Sequence, residues 1–319
     1  MIKLQRIIIS RGPIGYLLQK TKHLYLPGFE GVPLYDVIRF FYYQIKKHGL
    51  QERASAVAYN FIMAIPPSMI FLFTLIPHLP FISKRSIKSQ LHALILDIIP
   101  AKNYNSELIR FVDNLMDNTQ FGLLSIGLLL SLFFSSNAMM GLMRSFNRKS
   151  YEGFKKRMGI HERWIAIKLI SIIFGLLLAY LLLLISQGAV LKWLIKSQFW
   201  INVINYTRWG LIILLVYFII GVIYRYAPAV HKRWAFNTPG TILATFLSFL
   251  STLGFSLYVD NFGKFNALYG SIGTIMLVMV IIFINSISLI VGFELNVSIH
   301  SLKKTADDRL KAETRENKR

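Results

Sequence analysis

Long apolar stretches constrain the fold of this chain more than any other feature of its sequence. A helix that crosses the hydrocarbon core of a bilayer needs about 20 mainly apolar residues, and it satisfies its backbone hydrogen bonds internally. Six stretches meet this requirement: Ala56–Ile82, Phe121–Met143, Ile165–Gln187, Trp209–Tyr226, Thr238–Val259 and Ile272–Leu295. The sequence therefore predicts an all-α fold, a six-helix transmembrane bundle in a domain of residues 54–299.

The composition agrees with a membrane environment and excludes several kinds of chemistry. Hydrophobic residues make up 54% of the 319 residues and charged residues 16%, whereas soluble domains carry about 25% charged residues. The chain has no cysteine, which excludes disulfides, thiolate metal sites and cysteine nucleophiles. Its seven histidines are scattered, and it contains no phosphate-binding or dinucleotide-binding motif. We therefore expect no cofactor, no metal and no enzyme activity.

The excess of basic residues predicts the orientation of the bundle. Of the 36 Lys and Arg residues, 26 lie on the side that holds both termini, nine lie on the other side, and Lys168 lies within the third predicted span. Because cytoplasmic loops retain Lys and Arg, we expect both termini in the cytoplasm and the bundle in a bacterial inner membrane. The net charge of +21 is compatible with nucleic-acid binding, but the basic residues flank apolar stretches. Anionic lipid headgroups of the inner leaflet are therefore the expected partners, and nucleic acid is not.

Segments outside the spans are also patterned. In the cytoplasmic N-terminal region, residues 1–53, the segment Leu34–His48 is amphipathic and predicts an interfacial helix. A docking helix for a protein partner is the alternative. Residues 83–120 carry two apolar stripes on either side of Pro100, which predict two short amphipathic helices on the external face. The polar cytoplasmic tail, residues 300–319, is expected to be a solvated helix or disordered.

Polar residues at the inner helix ends form the first group of candidate site residues. Small residues on one face of the second span predict close helix packing, or the lining of a substrate cavity. The candidates at the inner ends are Asn137, Arg144, Asn147, Arg225 and Glu294. An ionisable group such as Glu294 in an apolar stretch needs a partner, and Arg144 or Arg225 fits that role.

The second group lies on the segment Tyr258–Ser271, which joins the last two predicted spans on the outer side. It is longer than a tight turn requires, and it combines glycine, amide and aromatic residues. An ordered loop that packs into the mouth of the bundle is one interpretation, and a gate that contacts substrate is the other. The candidate residues are Tyr258, Asn261, Asn266, Tyr269 and Gly270.

Several short motifs occur in a recognisable order along the chain. They include Glu52-Arg53-Ala54-Ser55-Ala56, Ser135-Ser136-Asn137-Ala138, Tyr224-Arg225-Tyr226-Ala227-Pro228, Asn261-Phe262-Gly263, Tyr269-Gly270-Ser271 and Gly292-Phe293-Glu294-Leu295-Asn296. In order and spacing they resemble the YihY/BrkB family of polytopic bacterial inner-membrane proteins. Phe293 departs from the pattern, because a smaller residue is usual there. The resemblance implies a six-span protein of a family linked with serum resistance or with export of lipid A precursors, and formerly labelled a ribonuclease.

Three hypotheses follow for the function. The preferred one is a transporter-like protein that translocates a lipid or another anionic substrate of the cell envelope. The second is a non-transporting scaffold for envelope enzymes, and the third is a membrane-associated ribonuclease. A ribonuclease needs positioned acid–base groups or metal ions near the phosphate, and the sequence shows no group of residues with that arrangement. Further partners, whether a second copy of the chain or other envelope proteins, are left open.

Overall fold

The computed structural model describes residues 20–22, 24–47, 49–75, 92, 109–110, 113–114, 121–147, 159–194, 198–230, 233–262 and 271–316. Helices make up most of these residues. We number them α1 to α7: Leu34–Lys47, Leu50–Leu75, Phe121–Phe146, Gly159–Leu194, Gln198–Tyr226, Pro239–Phe262 and Ser271–Glu316. The all-α prediction is confirmed.

Six of these helices correspond to the six predicted spans. Within the described residues, α2, α3, α4, α6 and α7 each contain a stretch long and apolar enough to cross a membrane. The described apolar stretch of α5, Gly210–Tyr226, is shorter. Each helix extends beyond its predicted span at one end or both, because polar turns continue the helix past the apolar stretch. The protein is thus a multi-pass membrane protein.

The spans pack into one bundle. Helix α2 packs along α3, α6 along α7, and α7 also contacts α2, while α4 joins α3 to α5. Arg53, Arg144, Arg163 and Arg225 all lie at one end of this bundle, near the helix termini, and we call it the basic end. The core is densest there, and its fully buried side chains include Phe146, Tyr224 and Phe293.

Helix α1 packs on the outside of this end. Its Val37 is fully buried in a small apolar cluster with Phe29, Val32 and Ile299 of α7. The predicted amphipathic helix is confirmed, but part of its apolar face contacts α7 and not lipid. Gly49, with a φ of 54°, separates α1 from α2, which is the left-handed conformation that commonly ends a helix at glycine.

Two boundaries differ from the sequence prediction. The segment Tyr258–Ser271 is partly helical, because α6 includes Tyr258–Phe262 and α7 begins at Ser271. Helix α7 continues through the polar tail to Glu316, so of the two alternatives for the tail the helix is confirmed. Most of the two predicted external helices lies outside the described residues, although His92 Nε2 and Asp113 Oδ1 approach to 3.0 Å and join the two patterned stretches.

Candidate functional site

A buried ion pair lies at the basic end of the bundle. Arg53 of α2 donates through Nη1 to Glu294 Oε1 of α7, and the two side chains are 5% and 0% exposed. Arg53 Nη2 also donates to the carbonyl oxygen of Ser145 at 2.8 Å. The guanidinium therefore joins α2, α3 and α7, and its planar fork of donors suits this use better than a lysine would.

This contact corrects the predicted partner of Glu294. Arg144 instead pairs with Glu162, at 3.4 Å between Nε and Oε2, and its side chain is 65% exposed. Arg225 is half-buried, with its guanidinium carbon 5.8 Å from the ring centre of Tyr226. The sequence does not identify Arg53 as the partner of Glu294, because Arg53 precedes the first apolar stretch. A basic residue at such a position is expected simply to anchor the helix at the membrane surface.

Aromatic side chains surround the ion pair. Phe293, the residue before Glu294, stacks on Phe146 with ring centres 4.0 Å apart. Tyr224 and Trp234 contact the same Phe293 ring at 6.3 and 5.6 Å. A large residue at position 293 is therefore accommodated by the aromatic cluster, which together with the ion pair closes the basic end of the bundle. We call these residues, Arg53, Phe146, Tyr224, Trp234, Phe293 and Glu294, the basic-end plug.

Helices α6 and α7 approach closely beside the plug. A Cβ on Gly240 would lie 2.1 Å from the carbonyl oxygen of Gly292, so only glycine allows this contact. Asn296 accepts a hydrogen bond from the Gly240 amide at 2.9 Å and donates one to Thr238 Oγ1, also at 2.9 Å. These bonds satisfy the N-terminus of α6 inside the protein.

The small-residue face of α3 packs against α2. A Cβ on Gly127 would lie 3.4 Å from the Cα of Phe71, and the hydroxyls of Ser131 and Ser135 each lie 3.3 Å from that of Ser68. Close packing is therefore confirmed for this face. None of its residues is among the described lining of the central cavity.

Two predicted site residues hold helix ends together. Asn137 accepts a hydrogen bond at 2.5 Å from Arg163 of α4, whose guanidinium also stacks over Phe133 at 4.7 Å. Asn147 accepts one at 2.7 Å from the amide of Ala229, in the connection between α5 and α6. Both residues lie at the basic end, Asn137 in a contact between two helices and Asn147 in a contact with the α5–α6 connection, and their part in a substrate path stays a prediction.

A cavity of about 480 Å³ lies within the bundle, and all six spans contribute to its lining. Its volume falls in the range of small-molecule sites, about 300–1,000 Å³. Most of the described lining is aliphatic or aromatic, and none of it is charged. Representative lining residues from α2 to α5 are Phe61, Met139, Ile173 and Ile220.

One wall of the cavity is polar. Thr245, Ser248, Thr252 and Ser256 recur at helical spacing on α6, and Asn285 of α7 also lines the cavity. We call these four α6 residues the hydroxyl stripe. Their spacing is visible in the sequence, but hydroxyl residues are common in membrane helices as packing contacts, so only the fold shows that they share a cavity.

The outer candidates are only partly described. Tyr258 lies on α6, half exposed, and lines a groove of about 560 Å³ between α6 and α7 with Gly254 and Gly273. The side chain of Asn261 and all of Asn266, Tyr269 and Gly270 lie outside the described residues. Their assignment to a gate or substrate contact stays a prediction. Within the described part of the chain, no three His, Asp or Glu residues are grouped to hold a metal ion.

The fold and its polar core define a class, the polytopic all-helical membrane proteins. Comparison with known proteins gives the family: a family model described as virulence factor BrkB matches residues 41–318. The chain belongs to the BrkB family, which confirms the resemblance seen in the motifs.

Curated relatives include a putative ribonuclease-like protein YfkH of Bacillus subtilis, 29% identical over 82% of this chain and 94% of that protein. Another is a UPF0761 membrane protein of Tolumonas auensis, 25% identical over 82% of this chain and 84% of that protein. No solved structure matches the chain.

Proposed function

We propose that this protein is transporter-like and translocates a lipid across the membrane. The observation that carries the proposal is the cavity of about 480 Å³ lined by all six spans. An apolar chain inside it gains about 0.8 kcal/mol per buried CH₂ relative to water. A chain that enters the cavity from the bilayer gains nothing by this burial, because it was already in an apolar environment. The cavity differs from the bilayer in its hydroxyl stripe, which offers a polar surface to a headgroup inside the membrane.

The orientation follows from the charges. We propose that the basic end faces the cytoplasm of a bacterial cell and contacts anionic headgroups of the inner leaflet. Exposed basic side chains such as Arg144 and Lys46 support this, since each contributes about 1 kcal/mol near an anionic surface. The basic-end plug then separates the cavity from the cytoplasm in the conformation described.

A scaffold function is the second candidate, and one observation favours it. Helix α1 exposes Ile38, Tyr42 and Tyr43 at 52%, 68% and 57%. Such a surface suits a headgroup layer or a protein partner. A scaffold has no need of a cavity between its spans, which is why translocation is preferred. The ribonuclease name belongs to the relative in Bacillus subtilis, and no described constellation supports that chemistry here.

Lipid movement in reconstituted vesicles tests the proposal. Purified protein is placed in liposomes that contain a fluorescent lipid, and a membrane-impermeant reductant bleaches the outer leaflet. Protein-dependent loss of the protected inner signal is expected. Thr252→Trp, at a position that lines the cavity, should slow that loss at least tenfold, whereas Leu250→Trp, on the same helix but outside the cavity lining, should not. If neither the wild type nor the control moves lipid, translocation is wrong.

A further inference from the structure

The hydroxyl stripe limits what chemistry the cavity accepts. Thr245 donates its hydroxyl hydrogen to the carbonyl of Thr241 and Thr252 to that of Ser248, each at 2.8 Å. Asn285 donates through Nδ2 to the carbonyl of Ile281 at 3.0 Å. Hydroxyl oxygens keep lone pairs after donating, and so does the amide oxygen of asparagine. Thr245, Thr252 and Asn285 therefore present hydrogen-bond acceptors to the cavity.

Charge sets a second limit. The described lining contains no Lys, Arg, Asp or Glu, so a charged headgroup inside the cavity would lose its hydration without gaining a counter-ion. Burying such a charge is far more costly than burying a hydroxyl or an amide that finds a partner. Arg53, Arg144, Arg163 and Arg225 thus lie at the basic end, whereas the described lining of the cavity is neutral.

The hydroxyl stripe is also long enough to contact a headgroup at successive depths in the membrane. Thr245 and Ser256 are eleven residues apart, or about 16 Å along a helix, which is roughly half the hydrocarbon thickness. The described lining residues of α2, α3, α4 and α5 are all apolar. One side of the cavity thus suits an apolar chain and the other a polar head.

We propose that the cavity binds an uncharged, single-chain amphiphile whose head carries hydrogen-bond donors, such as a polyol or an amide. This inference rests on the proposed function and names its substrate class. Anionic lipids bind at the basic end, outside the cavity. Thr245 and Thr252, whose hydroxyl hydrogens are already donated to the helix backbone, determine the selectivity for donor-bearing heads, and the apolar lining binds the chain.

A matched set of probes tests the substrate class. Binding of a radiolabelled long-chain monoacylglycerol to the purified full-length protein in a neutral detergent is measured in competition with three unlabelled compounds. These are the same monoacylglycerol, its dimethyl ether, which keeps the chain and oxygen atoms but has no hydroxyl donor, and the fatty acid anion of equal chain length. The monoacylglycerol should compete about tenfold better than the ether, as one or two neutral hydrogen bonds predict.

The double variant Thr245→Val/Thr252→Val, which removes both hydroxyls and keeps the branched side chains, should bring this ratio below about threefold while the affinity for the ether stays unchanged. Ser251→Ala is the matched control, because Ser251 lies on the same helix and lines the other groove. Equal competition by monoacylglycerol and ether, an unchanged ratio in the double variant, or a fatty acid anion that competes as well as monoacylglycerol would each overturn the substrate class and leave translocation standing. Failure of every probe to bind would overturn the cavity as a lipid site, and the proposed function with it.

Discussion

Removal of Arg53 should destabilise the fold more than removal of any exposed basic residue. In Arg53→Met the carboxylate of Glu294, 0% exposed, remains in the core without its guanidinium, and the Ser145 carbonyl loses a donor. Breaking a buried pair from one side costs about 3–5 kcal/mol, mostly because of the charge left behind. Replacement of both charges in Arg53→Met/Glu294→Leu should recover most of that loss, since two well-packed apolar side chains are about as stable as a buried pair.

A double-mutant cycle measures this effect. Each variant is unfolded by SDS titration in mixed micelles and followed by tryptophan fluorescence, which gives the free energy of unfolding. Lys303→Met is the matched control, because Lys303 and its partner Glu30 are 44% and 32% exposed, and exposed pairs contribute about 0–1 kcal/mol. The reasoning is refuted if Arg53→Met and Lys303→Met destabilise equally, or if the double variant is no more stable than Arg53→Met.

Three further predictions concern packing, capping and orientation. Gly240→Ala should lower the free energy of unfolding by at least about 1–3 kcal/mol, because the new methyl group overlaps the backbone of α7; Gly254→Ala on the same helix has open space and should change it by less than about 1 kcal/mol. A similar loss in both variants would contradict the close contact. Asn296→Ala should cost about 1–3 kcal/mol because the buried Gly240 amide loses its acceptor, whereas Asn296→Asp keeps an acceptor and should lose less in the same titration. Because the chain has no cysteine, a single Glu313→Cys substitution reports orientation: an impermeant maleimide should label it only after the cells are permeabilised, and labelling of intact cells would reverse the proposed topology.

The fold could be predicted largely from the sequence because the bilayer imposes one simple requirement on each span. Apolar length identified six helices, and the amphipathic spacing of residues 34–47 identified α1. Helix ends were less predictable, since the polar residues that end an apolar stretch do not end a helix. Helix α7 therefore passes through Glu294 and Asn296 into the tail without interruption.

The candidate site was less predictable, because its contacts join residues that are far apart in the chain. Glu294 was correctly expected to be paired, since burial of a lone charge is costly. Its partner lies 241 positions away, and the sequence offered Arg144 and Arg225 at the same bundle end as equally suitable candidates. The cavity was harder to predict than the ion pair. In sequence the hydroxyl stripe is the same as ordinary packing residues, and only the fold shows that its residues line a cavity.

The unbroken helix α7 has a mechanical consequence. At about 1.5 Å per residue its 46 residues extend about 69 Å, twice what a bilayer core needs. The basic-end plug holds it at Glu294, and Glu30 holds it again through His300 and Lys303, at 3.5 and 3.1 Å. Beyond these contacts about 20 Å of helix projects from the bundle. If α7 tilted enough to open the cavity by an ångström or two, its far end at Glu316 would therefore move by several ångströms. A soluble partner or a spectroscopic label at that end can detect this displacement.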